Sequence, residues 1–316
     1  MNLLGREYSG GIERLWNDLD PKPCVREYPA IHLRGKDARF AGDHHYVPGA
    51  GDVIRIVSDS GNEYVLAHEL MHIVLRSNNF PHWTGRHLRA NYDAVMGFLG
   101  QLESTALHPA INKRLRDYQL DLPIEHANSY VERCVMQLRA NEGAEDHIDV
   151  AFWSLLFAEM TMWNIETREQ LQAKLRLPAA WALADEFLQI ARGIETGSPQ
   201  DCRSFALQAI RIVDEYLNRE NGYGRSFFFK RIMFPPPPFL DSPEGPARTY
   251  FKVDPKVHSD GSRELEVLTQ VDGTLCWAEA VDRLSILNEA LKAHDSLTVR
   301  EFADFCEERF CAVFIE

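Results

Sequence analysis

The sequence predicts an α+β fold in which helices dominate, and three patterns along the chain support this prediction. Residues 53–57 (VIRIV) form a β-branched run that is followed directly by a helical pattern. From residue 124 to about residue 220 the periodicity is helical almost throughout, and after residue 250 two strand-like runs precede further helices. The chain has 316 residues, 45% of them hydrophobic and 26% charged, so it can bury a core without disulfide bonds.

The strand at residues 53–57 and the helix after it are the best-defined elements of the first part of the chain. Residues 1–50 contain many glycine, proline and other loop-forming residues, and they are predicted to be irregular. The helix is expected over about residues 62–76, because Ser60 and Glu63 match a capping box just before an apolar run.

A second helix is expected over about residues 88–107. Pro109 should end it, because the residue before a proline is disfavoured in helical geometry. Gly97 and Gly100 lie within this helix and are expected to let the two helices approach closely. Further helices are expected near residues 124–140, 145–164, 167–174, 178–196 and 201–219.

The C-terminal part is separated from these helices by a proline-rich stretch. Residues 234–247 hold 6 of the 16 prolines, and they read equally well as a stiff spacer or as a rigid surface loop. Beyond them we expect a second small α+β region, in which Thr298 and Glu301 form a capping box for the last helix. Its expected strands are 250–254, 264–270 and the TLCWA run after the Asp272-Gly273 turn, and its expected helices are 283–294 and 299–314.

Taken together, these patterns predict three regions. Residues 1–122 hold the strand and the two helices that carry the motif described below. Residues 123–233 form a helical region packed on this first region, and residues 234–316 form the proline-rich linker and the C-terminal α+β region.

Charge and cysteine usage exclude several classes of protein. The 34 Lys and Arg residues against 47 Asp and Glu residues give a net charge of −13, which disfavours general nucleic-acid binding. The six cysteines form no Cys-x-x-Cys pair, so neither a disulfide framework nor a cysteine zinc ribbon is indicated. We find no signal-peptide pattern and no apolar run of membrane-spanning length, so the expected location is the cytoplasm, without membrane binding.

Residues 68–72 (HELMH) match the HExxH pattern, in which two histidines lie one helical turn apart. His68 and His72 therefore project from one face of the helix, and their ring nitrogens can share one Zn²⁺ ion. Glu69 lies one step around the helix, where it can take a proton from a metal-activated water as a general base. The competing interpretation is a half-buried helix with two hydrogen-bonded histidines and no metal.

A catalytic zinc site normally has a third protein ligand. We predict Glu103 for this role, because it falls on the apolar stripe of the second helix, and a carboxylate facing a core is costly unless it is paired or binds a metal. The alternative is that Glu103 lies at the edge of the stripe and reaches water. Rival third ligands are His82, His87 and Asp93.

With these residues, HELMH resembles the gluzincin branch of the zincin metallopeptidases, in the compact minigluzincin form of ImmA/IrrE-like peptidases. The resemblance covers about residues 52–109. It implies a zincin-like unit made of a small sheet, an active-site helix and a glutamate helix. It also implies a hydrolase with one Zn²⁺ ion that cleaves a protein or peptide. In such folds the strand before the active-site helix, here residues 53–57, pairs with the extended substrate.

A peptidase of this kind needs a further donor to stabilise the oxyanion of the transition state. His108 and Tyr130 are the main candidates, and Tyr92 and His126 are two others. The leading hypothesis is a regulatory zinc endopeptidase. The alternative is a non-catalytic interaction or sensor protein with a zincin-like fold, whose metal site is structural or lost. An intact Glu69 argues against this alternative, because a structural site needs no base and is usually closed by four ligands.

Overall fold

The structure of the protein is a computed structural model. It describes residues 2–3, 5–28, 42–47, 51–57, 63–78, 80–81, 83–85, 92–140, 146–164, 166–192, 197–221, 228, 232–233, 244–257, 263–270, 275–280 and 284–310. All statements below concern these residues.

Helices dominate the described part of the chain, and small sheets accompany them, as predicted. Numbered along the chain, the elements are β1 (Asn2–Leu3), β2 (Arg6–Glu7), α1 (Gly10–Asn17), β3 (Cys24–Tyr28), β4 (Gly42–Val47), β5 (Gly51–Val57), α2 (Glu63–Ser77), β6 (Thr84–Gly85), α3 (Tyr92–Asp117), α4 (Ile124–Ala140), α5 (His147–Trp163), α6 (Arg168–Lys174), α7 (Pro178–Ala191), α8 (Pro199–Asn221), β7 (Ile232–Met233), α9 (Ala247–Tyr250), β8 (Phe251–Val257), β9 (Arg263–Thr269), β10 (Leu275–Ala280), α10 (Leu284–Ser296) and α11 (Val299–Phe310).

The chain divides into two compact units, each built from two separate stretches. The first unit consists of Met1–Phe80 and Ser104–Ala206, and the second consists of Pro81–Glu103 and Leu207–Glu316. The limits predicted from the sequence, at residues 122 and 233, are not the limits of these units. Helices α3 and α8 each continue through a unit limit.

The first unit contains a three-stranded sheet in the order β3-β5-β4. Strand β3 pairs with β5 in parallel, from Cys24 opposite Val53 to Tyr28 opposite Val57. Strand β4 pairs with the other edge of β5 antiparallel. The expectation that residues 53–57 pair with a substrate is therefore wrong, because both edges of β5 are already hydrogen-bonded. The prediction that residues 1–50 are irregular is also wrong, because they supply β3 and β4.

Helix α2 confirms the helix predicted over residues 62–76, and nine of its fifteen side chains are buried. Ser60, half of the predicted capping box, lies outside the described residues. Glu63 instead accepts a hydrogen bond from the backbone N–H of Ser9, at 2.5 Å. This bond attaches the start of α1 to the start of the helix that carries HELMH.

Helix α3 continues through Pro109 to Asp117, so the predicted end at this proline is wrong. A proline inside a helix removes one hydrogen bond and costs roughly 3 kcal/mol. Apolar burial on both sides of the proline offsets this cost, since Ala106, Leu107, Ala110 and Ile111 are all buried. The continuation keeps the residues around position 108 in regular helical geometry.

Gly97 and Gly100 do not mark a close helix approach. A Cβ atom built at either position meets no atom within 4 Å, and both residues are exposed. The expectation that they let two helices approach closely is therefore wrong.

The helices predicted after residue 124 are present as α4 to α8, with small differences at their ends. Helix α5 begins with a complete capping box, in which Asp146 accepts hydrogen bonds from the backbone N–H groups of Ile148 and Asp149. Eleven of its seventeen residues are buried, so α5 is a core helix of the first unit.

The second unit contains the predicted C-terminal α+β region. Strands β10, β9 and β8 form an antiparallel sheet in that order, and α9, α10 and α11 supply the remaining core residues. The capping box before α11 is confirmed: the backbone N–H of Glu301 donates to Thr298 Oγ1, and the backbone N–H of Thr298 donates to the Glu301 carboxylate. The proline-rich residues 234–243 and the Asp272-Gly273 turn lie outside the described residues.

Among the helices described here, none combines the length and the apolar character needed to cross a membrane.

Candidate metal centre

Helix α2 brings the two histidines of HELMH together. Its buried stripe fixes the helix in the core of the first unit, and His68 and His72 are both half-buried on one face. Their Nε2 atoms lie 3.2 Å apart, and their ring centroids are 4.9 Å apart. Two nitrogen lone pairs repel each other at this separation unless a proton or a metal ion lies between them.

A third histidine, His108, completes the group from α3. Its ring centroid lies 4.5 Å from that of His68 and 5.6 Å from that of His72. One ring nitrogen from each of the three histidines lies within 4.8 Å of the other two. The described part of the first unit thus holds a cluster of three imidazoles, from two helices, at a spacing suited to a single metal ion.

A buried carboxylate orients His108. The Nδ1 atom of His108 lies 2.5 Å from Glu159 Oε1, and the Glu159 side chain on α5 is only 1% exposed. With its proton on Nδ1, His108 donates to this carboxylate and keeps the lone pair of Nε2 for the other two histidines. A carboxylate that accepts from the outer nitrogen of a ligating histidine is the usual second contact in zinc sites, where it fixes the tautomer and raises the basicity of the ligand.

The Tyr64 hydroxyl contacts the Nδ1 atom of His68, as Glu159 contacts the Nδ1 atom of His108. The Tyr64 hydroxyl donates to Asn112 Oδ1 at 2.8 Å, and its oxygen lies 3.4 Å from Nδ1 of His68. In the tautomer that donates from Nδ1 to this oxygen, Nε2 of His68 is the lone-pair nitrogen. Tyr64 is one turn before His68, and Asn112 is one turn after His108, so the contact also links the two ligand helices.

In these tautomers the three histidines are suited to bind a metal ion. The hydrogen bonds of His68 and His108 each leave an Nε2 lone pair facing the cluster, and three neutral imidazoles are a donor set that suits zinc and other late divalent metals. Three protein ligands also leave one position open for water or substrate. The residues present therefore meet the requirements of a catalytic metal site.

Glu69 lies next to this group and is only 8% exposed. Strand β4 passes close to it: a Cβ atom at Gly42 would lie 2.7 Å from Val65 Cγ1 and 3.4 Å from Glu69 Cγ. A glycine at position 42 thus allows the strand to approach the base. Burial raises the pKa of Tyr64, and the charges of Glu159 and Glu69 raise it further. Both carboxylates therefore act electrostatically on the Tyr64 hydroxyl.

Helix α4 contributes the other candidate residues. The His126 ring lies 5.3 Å from the ring of Tyr64, and burial lowers the pKa of His126, with Arg133 and His108 lowering it further. His126 is therefore neutral at pH 7. Tyr130 packs on Trp163, at 5.1 Å between ring centroids, and Trp163 in turn lies 6.5 Å from His108. Both predicted stabilisers of the oxyanion, His108 and Tyr130, are thus close to the cluster, but His108 belongs to the imidazole group itself.

Glu103, the third ligand predicted from the sequence, is half-buried and is not a member of this group. It precedes His108 by five residues on α3, so the two side chains leave the helix axis in directions about 140° apart. Its role as a ligand stays a prediction, with His108 as the competing residue. The rivals His82 and His87 lie outside the described residues, as do the side chains of Asp93 and Tyr92.

The sequence analysis does not identify Glu159, and it does not place His108 in one group with His68 and His72. Glu159 is the only carboxylate between His147 and Trp163 apart from Asp149 in the first turn, and a single acidic residue in a buried helix signals a partner. His108 falls on the buried stripe of Thr105, Ile111 and Leu115 once the helix is allowed to continue past Pro109.

Comparison of the chain with protein-family models, with curated proteins and with solved structures gives no match, so the functional argument depends on the residues and their geometry.

Proposed function

We propose that the protein is a zinc-dependent peptidase that cleaves a protein or peptide substrate, with a zincin-like arrangement in its first unit. The observation that supports this most is the convergence of the His68, His72 and His108 rings beside the buried carboxylate of Glu69. Three imidazoles alone would fit a structural site equally well. The buried base at the second position of HELMH is what favours hydrolysis.

In this proposal His108 takes the place that the sequence suggested for Glu103. One of its ring nitrogens lies within 4.8 Å of a ring nitrogen of each HELMH histidine, and its Nδ1 atom is held by Glu159. Bound to the three histidines, zinc would polarise the scissile carbonyl and lower the pKa of the attacking water.

The chain's own residues carry the proton transfers. Glu69 takes the proton of the attacking water on a carboxylate oxygen and then delivers it to the nitrogen of the leaving amine. Neutral His126 and the phenol of Tyr130 are the available donors for the developing oxyanion.

In this proposal an extended substrate pairs with β4, whereas the resemblance implies pairing with β5. Strand β5 is central, whereas β4 pairs on one edge alone within the described residues. Because Gly42 brings β4 next to Glu69, an extended peptide added to the outer edge of β4 would run close to the base. The cytoplasmic location expected from the sequence remains part of this proposal.

The Glu69→Gln variant tests the function. We expect it to keep one zinc ion per chain by metal analysis and to lose cleavage of a denatured-protein peptide library by at least about 100-fold, because the amide cannot accept the proton. Glu125→Gln, at an exposed position on α4, is the matched control and should cleave normally. Wild-type protein that binds zinc but cleaves nothing in the library, or a Glu69→Gln variant that cleaves like the wild type, would favour the non-catalytic alternative.

A further inference from the structure

One face of α4 carries three residues that the proposed catalysis does not fully use. His126, Tyr130 and Arg133 are spaced by four and three residues, so they lie on one side of the helix. All three are half-buried. His126 packs on Tyr64, and Tyr130 packs on Trp163.

Arg133 has no acidic partner on this face. Its guanidinium carbon lies 5.9 Å from the centroid of the Tyr130 ring, and its Nε atom is buried without a hydrogen bond. Within the described residues it makes neither a hydrogen bond nor an ion pair. Burying part of a guanidinium costs free energy unless an acceptor satisfies it. A bound anion would supply such an acceptor for Arg133.

Trp163 adds a second donor in the same place. Its indole Nε1–H is also buried without a hydrogen bond among the described residues. The Trp163 ring contacts the same Tyr130 ring that Arg133 covers. Among the described residues, Tyr130 thus contacts two side chains that each bury an N–H donor without a hydrogen bond, Arg133 and Trp163.

We propose that Arg133 and Trp163, which both contact Tyr130, form a subsite for a carboxylate of the peptide substrate. Arg133 is seven residues beyond His126, which is about 10 Å along the helix axis. An extended peptide covers this length in about three residues. The subsite therefore selects a substrate with a carboxylate about three residues from the bond that is cleaved.

This inference rests on the proposed peptidase function, and it deepens that function by naming the substrate class. The carboxylate has two possible sources, the free C-terminus of a short substrate or the side chain of an Asp or Glu within a longer one. Both are planar and accept two parallel hydrogen bonds from a guanidinium.

The test measures binding without turnover. The full-length, metal-free chain is titrated with three probes: acetyl-tetra-alanine with a free carboxylate, acetyl-Ala-Ala-Glu-Ala-amide, and the neutral acetyl-Ala-Ala-Gln-Ala-amide. The indole ¹⁵N–H signal of Trp163, assigned with a Trp163→Phe variant, reports occupancy. We expect one or both carboxylate probes to bind at least about tenfold more tightly than the neutral amide. The probe that binds identifies the source of the carboxylate.

Arg133→Gln should abolish this preference, and Arg133→Lys should keep part of it. Arg139→Gln, at an exposed position on the same helix, is the matched control and should bind like the wild type. Equal binding of all three probes, or an Arg133→Gln chain that keeps the preference with an unchanged NMR fingerprint, would overturn the subsite. A chain that prefers carboxylates but binds no zinc and cleaves nothing would refute only the peptidase function. Cleavage without any carboxylate preference would refute only the subsite.

Discussion

Two histidines, His108 in the first unit and His294 in the second, have different surroundings. The Nε2 atom of His294 lies 2.8 Å from the carbonyl oxygen of Phe251, so this ring ties α10 to the start of β8. The ring of His108 is held through Nδ1 by a buried carboxylate and lies against two more imidazoles. His294 thus makes a hydrogen bond to the backbone, whereas His108 belongs to a group of three histidines that could hold a metal ion.

The cores around these two histidines differ in the same way. The C-terminal core of the second unit is built from apolar side chains such as Phe251, Leu265 and Phe302. The first unit buries Glu69 and Glu159 beside three histidines. Buried charge costs free energy unless it is compensated, so a protein retains it where it serves a site. Buried carboxylates and grouped histidines thus distinguish the described part of the first unit from the C-terminal core.

The largest expected effect that tests this comparison comes from Glu159. Glu159→Gln keeps the shape but removes the charge that His108 contacts, so zinc affinity should fall by about 10- to 100-fold. Competition with a chromogenic chelator measures the affinity. Glu186→Gln, at an exposed position on α7, is the matched control and should leave it unchanged. Unchanged zinc affinity in Glu159→Gln would mean that this carboxylate does not support the site.

A smaller effect is expected at Gly42. The added methyl group of Gly42→Ala would lie 2.7 Å from Val65 Cγ1 and 3.2 Å from the Arg55 carbonyl oxygen, and overpacking of this kind costs about 1–3 kcal/mol. We expect a lower free energy of unfolding in urea and slower peptide cleavage, because Glu69 is adjacent. Gly97→Ala is the control, since it meets open space on a helix and should stabilise the protein slightly. Equal stability of the two variants would contradict the close approach of β4.

The smallest effect is expected in the second unit. His294→Ala removes one hydrogen bond to the Phe251 carbonyl, which still accepts from Gln270, and should cost about 0.5–1.5 kcal/mol of stability, by urea unfolding. It should leave the zinc content at the wild-type value. A His294→Ala chain that loses zinc would break the distinction between the structural and the ligand histidine.

The sequence was sufficient to predict the parts of the fold and site that depend on local patterns. The helix bearing HELMH, the strand before it and the Thr298–Glu301 capping box were all found from spacing alone. His68, Glu69 and His72 lie together because they belong to one turn of one helix.

What could not be predicted depends on contacts between distant residues. Glu159 is separated from His108 by 51 positions, and no local pattern joins them. The place of β5 in the middle of the sheet depends on β3 and β4, which are short and contain several polar residues. The predicted end of α3 at Pro109 is wrong because buried apolar residues on both sides of this proline outweigh its cost.

The most direct test of the central claim is the zinc content of two variants of α3, His108→Ala and Glu103→Ala, measured by mass spectrometry of the metal after purification and exhaustive dialysis. If three histidines hold the ion, we expect about one zinc ion per chain in the wild type and in Glu103→Ala. We expect almost none in His108→Ala. The opposite pattern, with zinc lost from Glu103→Ala and kept by His108→Ala, would contradict this expectation and restore the glutamate as the third ligand.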